Sequence, residues 1–381
     1  MPTSEFTIIG GGLAGLSLAE SLVREGAEPN AIRLLDAPSP RRASNAPTVI
    51  FHPFPGRSLH PDPDVLRMAE ATLDRIERWK QQLDEPPIHR TTMIRPLRDD
   101  HLAKRLRETW AGESGYPDWF DGDLVDGDAL DRYGNQFEAF DSAFVYSPAF
   151  TIDLDELCRL NRRRLGDLGV DVEPDRFVHR LEERHDGWRV VAGDDDIDTR
   201  RVMLALGTAL GDWFPELALR PRGGELLHAE IPEDLQPDYV VNASGHVAPR
   251  PGGGVVAGAT WWDPENFDDR DSETARRDIL ERCGSLFPPL KHADVTEVWR
   301  GVRANFGDHQ PLVGEIPELP RLDVFGAFGS KGLLRIPHHA DQLSRKLTGG
   351  SSRIPELSKP DRMRADKWSP DPERIAVKES E

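Results

Sequence analysis

The sequence predicts an α/β chain, α+β overall, in which a Rossmann-like unit is joined to a domain built on an antiparallel sheet. Three observations carry that expectation. A strand, a glycine turn, a helix and a second strand follow one another within the first forty residues. Late apolar runs at 202–206 and 322–328 end in glycine-containing loops, as further strands of the same sheet would. Between them, 223–260 breaks into short strand-like runs with no helical stretch.

In the opening stretch, 6–9 is an apolar run of β-formers, followed by Gly10, Gly12 and Gly15 in the spacing G-x-G-x-x-G. Gly10 permits a tight turn, Gly12 lets backbone approach a pyrophosphate, and Gly15 lets the helix pack closely on the strand. The amphipathic stretch 13–24 supplies that helix, and its first residues, Leu13 and Ala14, offer unpaired N–H groups and a positive dipole end to phosphate. The run 32–35 ends on Asp36, placed to accept hydrogen bonds from ribose hydroxyls. A glycine-rich βα turn holding no nucleotide is the alternative. An NAD-dependent dehydrogenase fits these forty residues but leaves the late glycine-rich loops unexplained.

The following loop carries Arg41 and Arg42, read as solvated loop charges or as phosphate-neutralising groups. Residues 64–82 read as a helix with Val65, Met68, Ala69, Leu73, Ile76 and Trp79 on one face. The stretch 86–142 mixes aromatic and acidic residues and belongs outside the nucleotide fold. Helix resumes over 150–168, with Asp153 and Asp155 in its first turn and the run Arg162, Arg163, Arg164 near its end, read as a surface salt-bridge face. A strand opens at 169–172, a hairpin covers 176–184 and 187–192, and the strand 202–206 stops at Ala205-Leu206-Gly207, where backbone could approach a ligand. Strands are expected at 225–230, 239–242, 254–260 and 295–304, and a helix at 272–287. The strand 322–328 runs into Gly329-Ser330-Lys331-Gly332 and a last helix through Leu347, and the tail beyond Gly349 is expected to wrap the surface or lie loose. These readings place 1–85, 145–222 and 296–350 in a nucleotide-binding domain, 86–144 and 223–295 in a substrate domain, and 351–381 in a C-terminal tail.

A chain of 381 residues can bury a large core and usually forms two domains. Its net charge of -19 disfavours polyanions, so nucleic acid is not an expected partner. The acidic surface is that of a protein adapted to high salt or of an ordinary acidic protein. No apolar run suggests a membrane span or a signal peptide, and two cysteines make neither a disulfide framework nor a metal site. A cytoplasmic location is the default.

Four stretches resemble the D-amino-acid-oxidase-like flavoproteins: glycine oxidase, sarcosine oxidase and the oxidase domain of the tRNA wobble-uridine modification enzyme. They are the glycine motif with Asp36, the loop from Ser44-Asn45-Ala46 to His52-Pro53, the run 202–207, and the late segments 299–303, 308–314 and 326–333. The resemblance implies noncovalent FAD, held by the glycine motif, Asp36, Ala37, Ser44, Asn45, Ala46, Thr48, Val49, Ala205, Leu206, Gly207 and the loop Gly329 to Leu333. Val178 matches the position whose backbone meets adenine. No cysteine falls in the late loop, so a thioether attachment is not expected. Two positions depart from the family pattern: Pro47 stands where glycine or alanine is usual, and His246 stands where related oxidases carry a carboxylate-binding tyrosine.

The implied chemistry is oxidation of a small amino acid or secondary amine by hydride transfer to flavin N5, with molecular oxygen or another acceptor taking the electrons. Arg303 matches the arginine that clamps the substrate carboxylate, or else is a salt-bridge partner of Asp308. Lys331 reaches flavin or substrate, or is solvated. His246 contacts substrate, or is a surface histidine after Gly245. Oxidation of a carboxymethylaminomethyl group on tRNA and a noncatalytic flavin-binding role remain alternatives.

Overall fold

Strand β1 (Ser4–Ile9) is the centre of the first sheet, and its nearly continuous burial is what an apolar run flanked by parallel neighbours requires. It pairs in parallel with β2 (Ile32–Leu35) and with β10 (Asp195–Leu204). Beyond β2 lies β7 (Asp171–Glu173), and beyond β10 lies β17 (Leu322–Gly326), all parallel. The edge strand β16 (Leu312–Glu315) is antiparallel to β17. This computed structural model describes residues 4–54, 62–97, 104, 117–126, 142–193 and 195–377. Most of 98–116 and all of 127–141, assigned above to the substrate domain, lie outside the described residues.

β10 begins seven residues earlier than the apolar run at 202–206 suggests. Its first half pairs antiparallel with β9 (Gly187–Ala192), which in turn pairs with β8 (Arg180–Arg184), so one strand serves the hairpin and the parallel sheet in succession. The tail is neither loose nor merely surface-bound. Ile354, Trp368 and Ile375 are buried, the Trp368 indole donates to the Pro360 carbonyl at 3.0 Å, and β18 (Ile375–Ala376) adds a parallel strand to β8.

The second sheet runs β15 (Asp294–Arg303), β11 (Arg222–Glu230), β14 (Val255–Gly258), β13 (His246–Pro249), β12 (Tyr239–Asn242), β4 (Ile88–Pro96), β6 (Ser142–Ile152) and β3 (Val49–Phe51), with β5 (Asp121–Asp126) also on β6. It is antiparallel except between β12 and β4. Strand β15, assigned by sequence to the nucleotide-binding segments, pairs along its length with β11 and therefore belongs here. Residues 150–152, read as the start of a helix, are the end of β6, because Phe150 pairs across to Phe51. The helix itself, α3 (Leu154–Asp167), starts where the Asp153 side chain accepts the Glu156 amide at 3.0 Å. Helix α4 (Ser272–Leu286) covers one face of the sheet, packing Ile279, Cys283 and Leu286 on Leu227, Val241, Val247 and Ala257. The opposite face carries Met93, Tyr146, Leu226, Val240 and Val256.

Around the first sheet, α1 (Leu13–Arg24), α2 (Pro63–Gln82), α3 and α5 (Gly332–Leu347) are joined by a buried ionic cluster. Arg75 lies on the apolar face of α2 and is fully buried. It donates to Glu20 of α1 at 3.0 Å, to Asp341 of α5 at 2.7 Å and to the Ser21 hydroxyl at 2.7 Å. Glu20 also accepts from the Trp79 indole and from Asn161 of α3. Burial alone would raise the Asp341 carboxyl, but the Arg75 charge and the hydrogen bonds from Arg24 and Ser21 hold it below the usual carboxylate range. Among the described residues no helix is long and apolar enough to cross a membrane.

Replacing Arg75 with Met should strip Glu20 and Asp341 of their shared cation inside the core. The expected loss is about 3–5 kcal/mol of unfolding free energy, read from urea midpoints. Arg159→Ala, which breaks an exposed pair with Glu156, is the control and should leave the midpoint where it is.

Candidate active site

The site is assembled from the glycine turn outward. Gly10 has φ +109°, and a side chain there would meet the Ala205 carbonyl oxygen at 2.4 Å. At Gly15 a Cβ would stand 1.9 Å from the Gly10 carbonyl oxygen, so only glycine lets α1 begin this close to the turn. The Leu13 amide at the start of α1 donates to Ser44 Oγ at 3.0 Å, and that hydroxyl is also the nearest atom to a Cβ built on Gly12. The amides of Gly12 and Ala14 donate to no acceptor among the described residues. They form an anion-ready helix N-terminus.

Asp36 ends β2 and is 4 % exposed. Its carboxylate accepts the Gly11 amide at 2.8 Å and the two ends of the Arg42 guanidinium at 2.6 and 2.9 Å, with Arg162 at 3.5 Å. Arg42 also donates to the Ala37 carbonyl, and Arg162 donates to that of Gly11. Arg42 is not the solvated loop charge of one reading, and Arg162, read as part of a surface salt-bridge face, turns its guanidinium to the buried Asp36. Beside them a cleft of about 420 Å³ is lined by Asp36, Pro38, Arg42, Asn45, Asp155 and Arg162. A buried acid at the end of the second strand, free helix amides and an adjoining cleft fit the adenosine and pyrophosphate of the FAD that the resemblance implies. Val178, assigned to adenine, is buried just before β8.

The other expected residues fall into two groups. Ala46 is buried, and its carbonyl accepts the Leu154 and Asp155 amides, so it fixes the start of α3; Thr48 is buried beside it. Pro47 is accommodated with its carbonyl accepting the Thr48 hydroxyl at 2.6 Å. The loop reaches β15 as well, where the Val302 amide donates to the Arg41 carbonyl at 2.9 Å. Val49 begins β3. Ala205, Leu206 and Gly207 follow β10, and Gly207, at φ +58°, faces open space.

The late loop is docked on the residues that follow Arg303. The Gly329 amide donates to the Ala304 carbonyl at 2.9 Å, and a Cβ on Gly329 would strike Asn305 Oδ1 at 2.2 Å. Gly332 and Leu333 open α5, and Ser330 is exposed. Burial and the nearby Arg335 charge hold the half-buried Lys331 ammonium below the ordinary lysine range.

Arg303 ends β15 and reaches over Gly224 of the second sheet. Its guanidinium carbon is 4.3 Å from the centre of the Trp261 ring, and its Nη2 end abuts Gly224, where a Cβ would approach Nη2 to 2.1 Å. Asp308, its expected salt-bridge partner, pairs instead with Arg362 at 3.0 Å, and no carboxylate lies within 4.0 Å of Arg303 among the described residues. His246 is half-buried rather than exposed. It sits on β13 opposite Gly258, and burial with the Arg303 and Arg282 charges pushes its pKa down to about 4.

Three residues were not singled out as substrate-facing. Tyr146 donates to or accepts from His52 Nδ1 at 3.0 Å, and its hydroxyl is also bonded to Arg95. Burial, then the Arg95 and His246 charges, push His52 down to about 3. In the sequence Arg95 and Tyr146 are ordinary alternating strand residues, and only the pairing of β4 with β6 brings them together.

The profile of the family described as FAD dependent oxidoreductase (DAO) matches residues 5–345. The tRNA 5-methylaminomethyl-2-thiouridine biosynthesis bifunctional protein MnmC of Thiobacillus denitrificans is 27% identical over 361 residues, 90% of this chain and 56% of that protein. The glycine oxidase of Geobacillus kaustophilus is 30% identical over 157 residues, 38% of this chain and 41% of that protein. The chain thus spans about half the length of the curated relatives it matches. Among solved structures, iminodiacetate oxidase (IdaA) from Chelativorans sp. BNC1 superposes with a TM-score of 0.80 at 22% identity, covering 93% of this chain and 99% of that one. Glycine oxidase from Geobacillus kaustophilus gives 0.78 at 19% identity, covering 93% and 97%. At these identities the structural likeness establishes the fold.

Two outcomes are expected. Gly15→Ala should yield protein that no longer retains flavin through gel filtration, because α1 must back away from the turn. His52 and His246 are neutral when folded and protonate near 6.5 when unfolded, so the unfolded chain binds more protons between about pH 6.5 and 4 and stability falls as pH drops through that window. His246→Gln should flatten the decline in melting temperature measured across it.

Proposed function

The chain belongs to the family of FAD-dependent oxidoreductases, and from that membership we propose that it oxidises the C–N bond of a small amino acid or secondary amine bearing an α-carboxylate. The observation that carries the reading is Arg303, a cation without a carboxylate partner among the described residues, held between the Trp261 ring and the backbone at Gly224. Glycine and iminodiacetate, named for relatives and neighbours of this chain, both place an amine one carbon from a carboxylate. A guanidinium gripping that carboxylate at two points fixes the neighbouring carbon in place.

Bound FAD would supply the two-electron oxidant at flavin N5, so that loss of a hydride from that carbon would give an imine. The glycine motif and the α1 amides would hold its pyrophosphate, Asp36 its ribose, and residues 44–49, 205–207 and 329–333 its flavin. With no cysteine in 329–333 to form a thioether, the FAD would be held noncovalently. The substrate-facing groups set the protonation state of the amine. Arg303 and Arg95 are cations by their chemistry, His52 and His246 are neutral at pH 7, and no described carboxylate lies within 4.0 Å of any of the four. An ammonium is disfavoured in that field relative to the neutral amine, which is the form able to release a hydride. No contacting general base is required. Molecular oxygen is the proposed electron acceptor, giving hydrogen peroxide, and the buried, unpaired Cys158 and Cys283 suit a reducing cytoplasm.

A second reading, oxidation of a carboxymethylaminomethyl group on tRNA, is favoured by the Gly329-Ser330-Lys331-Gly332-Leu333 loop and by the MnmC relative that aligns over 90% of this chain. The charge of -19 opposes it. Retention of tRNA on the immobilised protein across a salt series separates the two, and no retention at low salt removes the second.

Purified protein should be yellow, and anaerobic mixing with carboxylated amines should bleach it. Arg303→Met should retain flavin but weaken binding of those amines by ~10²-fold, the worth of a bidentate charge-assisted contact. Unchanged affinity in the bleaching titration would sink the assignment of Arg303.

A further inference from the structure

The same sheet face carries a second cation with no carboxylate within 4.0 Å among the described residues. Paired residues of neighbouring strands point to the same side of a sheet, and following the ladder places Arg303, Gly301, Gly224, Leu226, Gly258, His246, Asn242 and Val240 on one face. The parallel pairing of Val240 with Met93 continues that face onto β4, so Arg95 shares it, and the pairing of Met93 with Tyr146 carries it onto β6. Helix α4 covers the other side. Arg95 is half-buried and donates to the Phe54 carbonyl at 3.2 Å and to the Tyr146 hydroxyl, in a wall made by Phe54, Phe120 and Tyr146. Among the described residues no carboxylate lies within 4.0 Å of it. Its charge acts on His52, His52 is acted on by His246, and His246 by Arg303, so the cluster is continuous from one arginine to the other.

Neutral acceptors satisfy hydrogen bonds but leave the charge of a half-buried guanidinium uncompensated; Glu297, on the same face, is paired with His228 at 3.2 Å, and two cations with no described carboxylate within 4.0 Å call for two negative groups. We infer that the substrate is an N-substituted α-amino acid whose nitrogen substituent ends in a second acidic group, with the α-carboxylate at Arg303 and the distal acid at Arg95 beside Tyr146 and His52. The inference rests on the assignment of Arg303 as the α-carboxylate anchor. It also sets the length of the arm. Gly224, which underlies the Arg303 guanidinium, and Arg95 sit on strands four neighbour spacings apart, ~19 Å between backbones. The second acid therefore belongs on an arm of several bonds, longer than the single carbon of iminodiacetate.

The test uses the flavin-loaded full chain and two ligand series. In the first, sulfur replaces the reacting nitrogen, so S-alkyl and S-(carboxyalkyl) thioglycolates of matched length bind without being oxidised, and perturbation of the flavin absorbance reads their affinity. The terminal carboxylate should tighten binding at least tenfold on a long arm and little on a one-carbon arm, and Arg95→Met should cut the gain below twofold while Arg95→Lys keeps much of it. A phosphate-ended arm tells which acid is preferred. No gain from the terminal acid in the unaltered protein, or a gain that survives Arg95→Met, overturns the inference; the first comparison needs no variant to fold. The second series, the corresponding N-carboxyalkyl glycines, is mixed anaerobically with the protein. If the thioethers show the gain but no amine bleaches the flavin, amine oxidation falls and the two-acid site stands. If the amines bleach without regard to the terminal acid, the reverse holds.

Discussion

Arg75 is the fastening on which the arrangement of the nucleotide-binding half depends. A single guanidinium, with five donors in a rigid fork, can bond Glu20, Ser21 and Asp341 together, which no lysine could do with the same geometry. Two of those partners, Ser21 and Asp341, are 320 residues apart in the chain. Helix α1 starts at the glycine turn and α5 starts at the Gly329 loop, so the cluster holds the two helix beginnings that border the site in fixed relation. Once the helices are packed, the core has no water to offer these charges, and each depends on the others.

Backbone closeness is the second constraint, and glycine supplies it twice. In the first sheet Gly10 and Gly15 let strand, turn and helix approach to distances that any Cβ would forbid. On the second sheet Gly224 and Gly301 serve long side chains instead, since Arg303 lies over the first and Trp299 over the second. The floor of the substrate face is thereby paved with flattened side chains, and Trp261 closes over Arg303 from above. An arginine held between a ring and a strand loses little further freedom on binding a carboxylate, which suits an anchor.

Electrostatics divides the site in two. On the nucleotide side, the buried Asp36 is balanced by Arg42, Arg162 and the Gly11 amide. On the substrate side no described acid balances Arg303 or Arg95, and the two histidines between them are kept neutral by burial and by those cations. On the proposed reading, that imbalance is what would favour anionic, unprotonated amines over cationic ones.

Periodicity and turn chemistry made the first nucleotide-binding unit legible: α1, β2 and α5 begin or end where the apolar pattern and the glycines say they should, because these are local properties of short stretches. The family resemblance likewise followed from the order of local motifs. What the sequence left undecided has one physical reason, that pairing partners and charge partners are chosen across the chain. Strand β15 joined the second sheet because its ladder is with β11, and residues 150–152 became strand because Phe51 lay opposite. Arg42, Arg75 and Arg162 look alike as letters on loops and helices, yet burial beside distant acids made them structural groups. Among the described residues, Arg95 and Arg303 were left without acids by the same process. Composition fixed how many charges the protein carries, and only the folded chain decided which of them remain to be answered by a ligand.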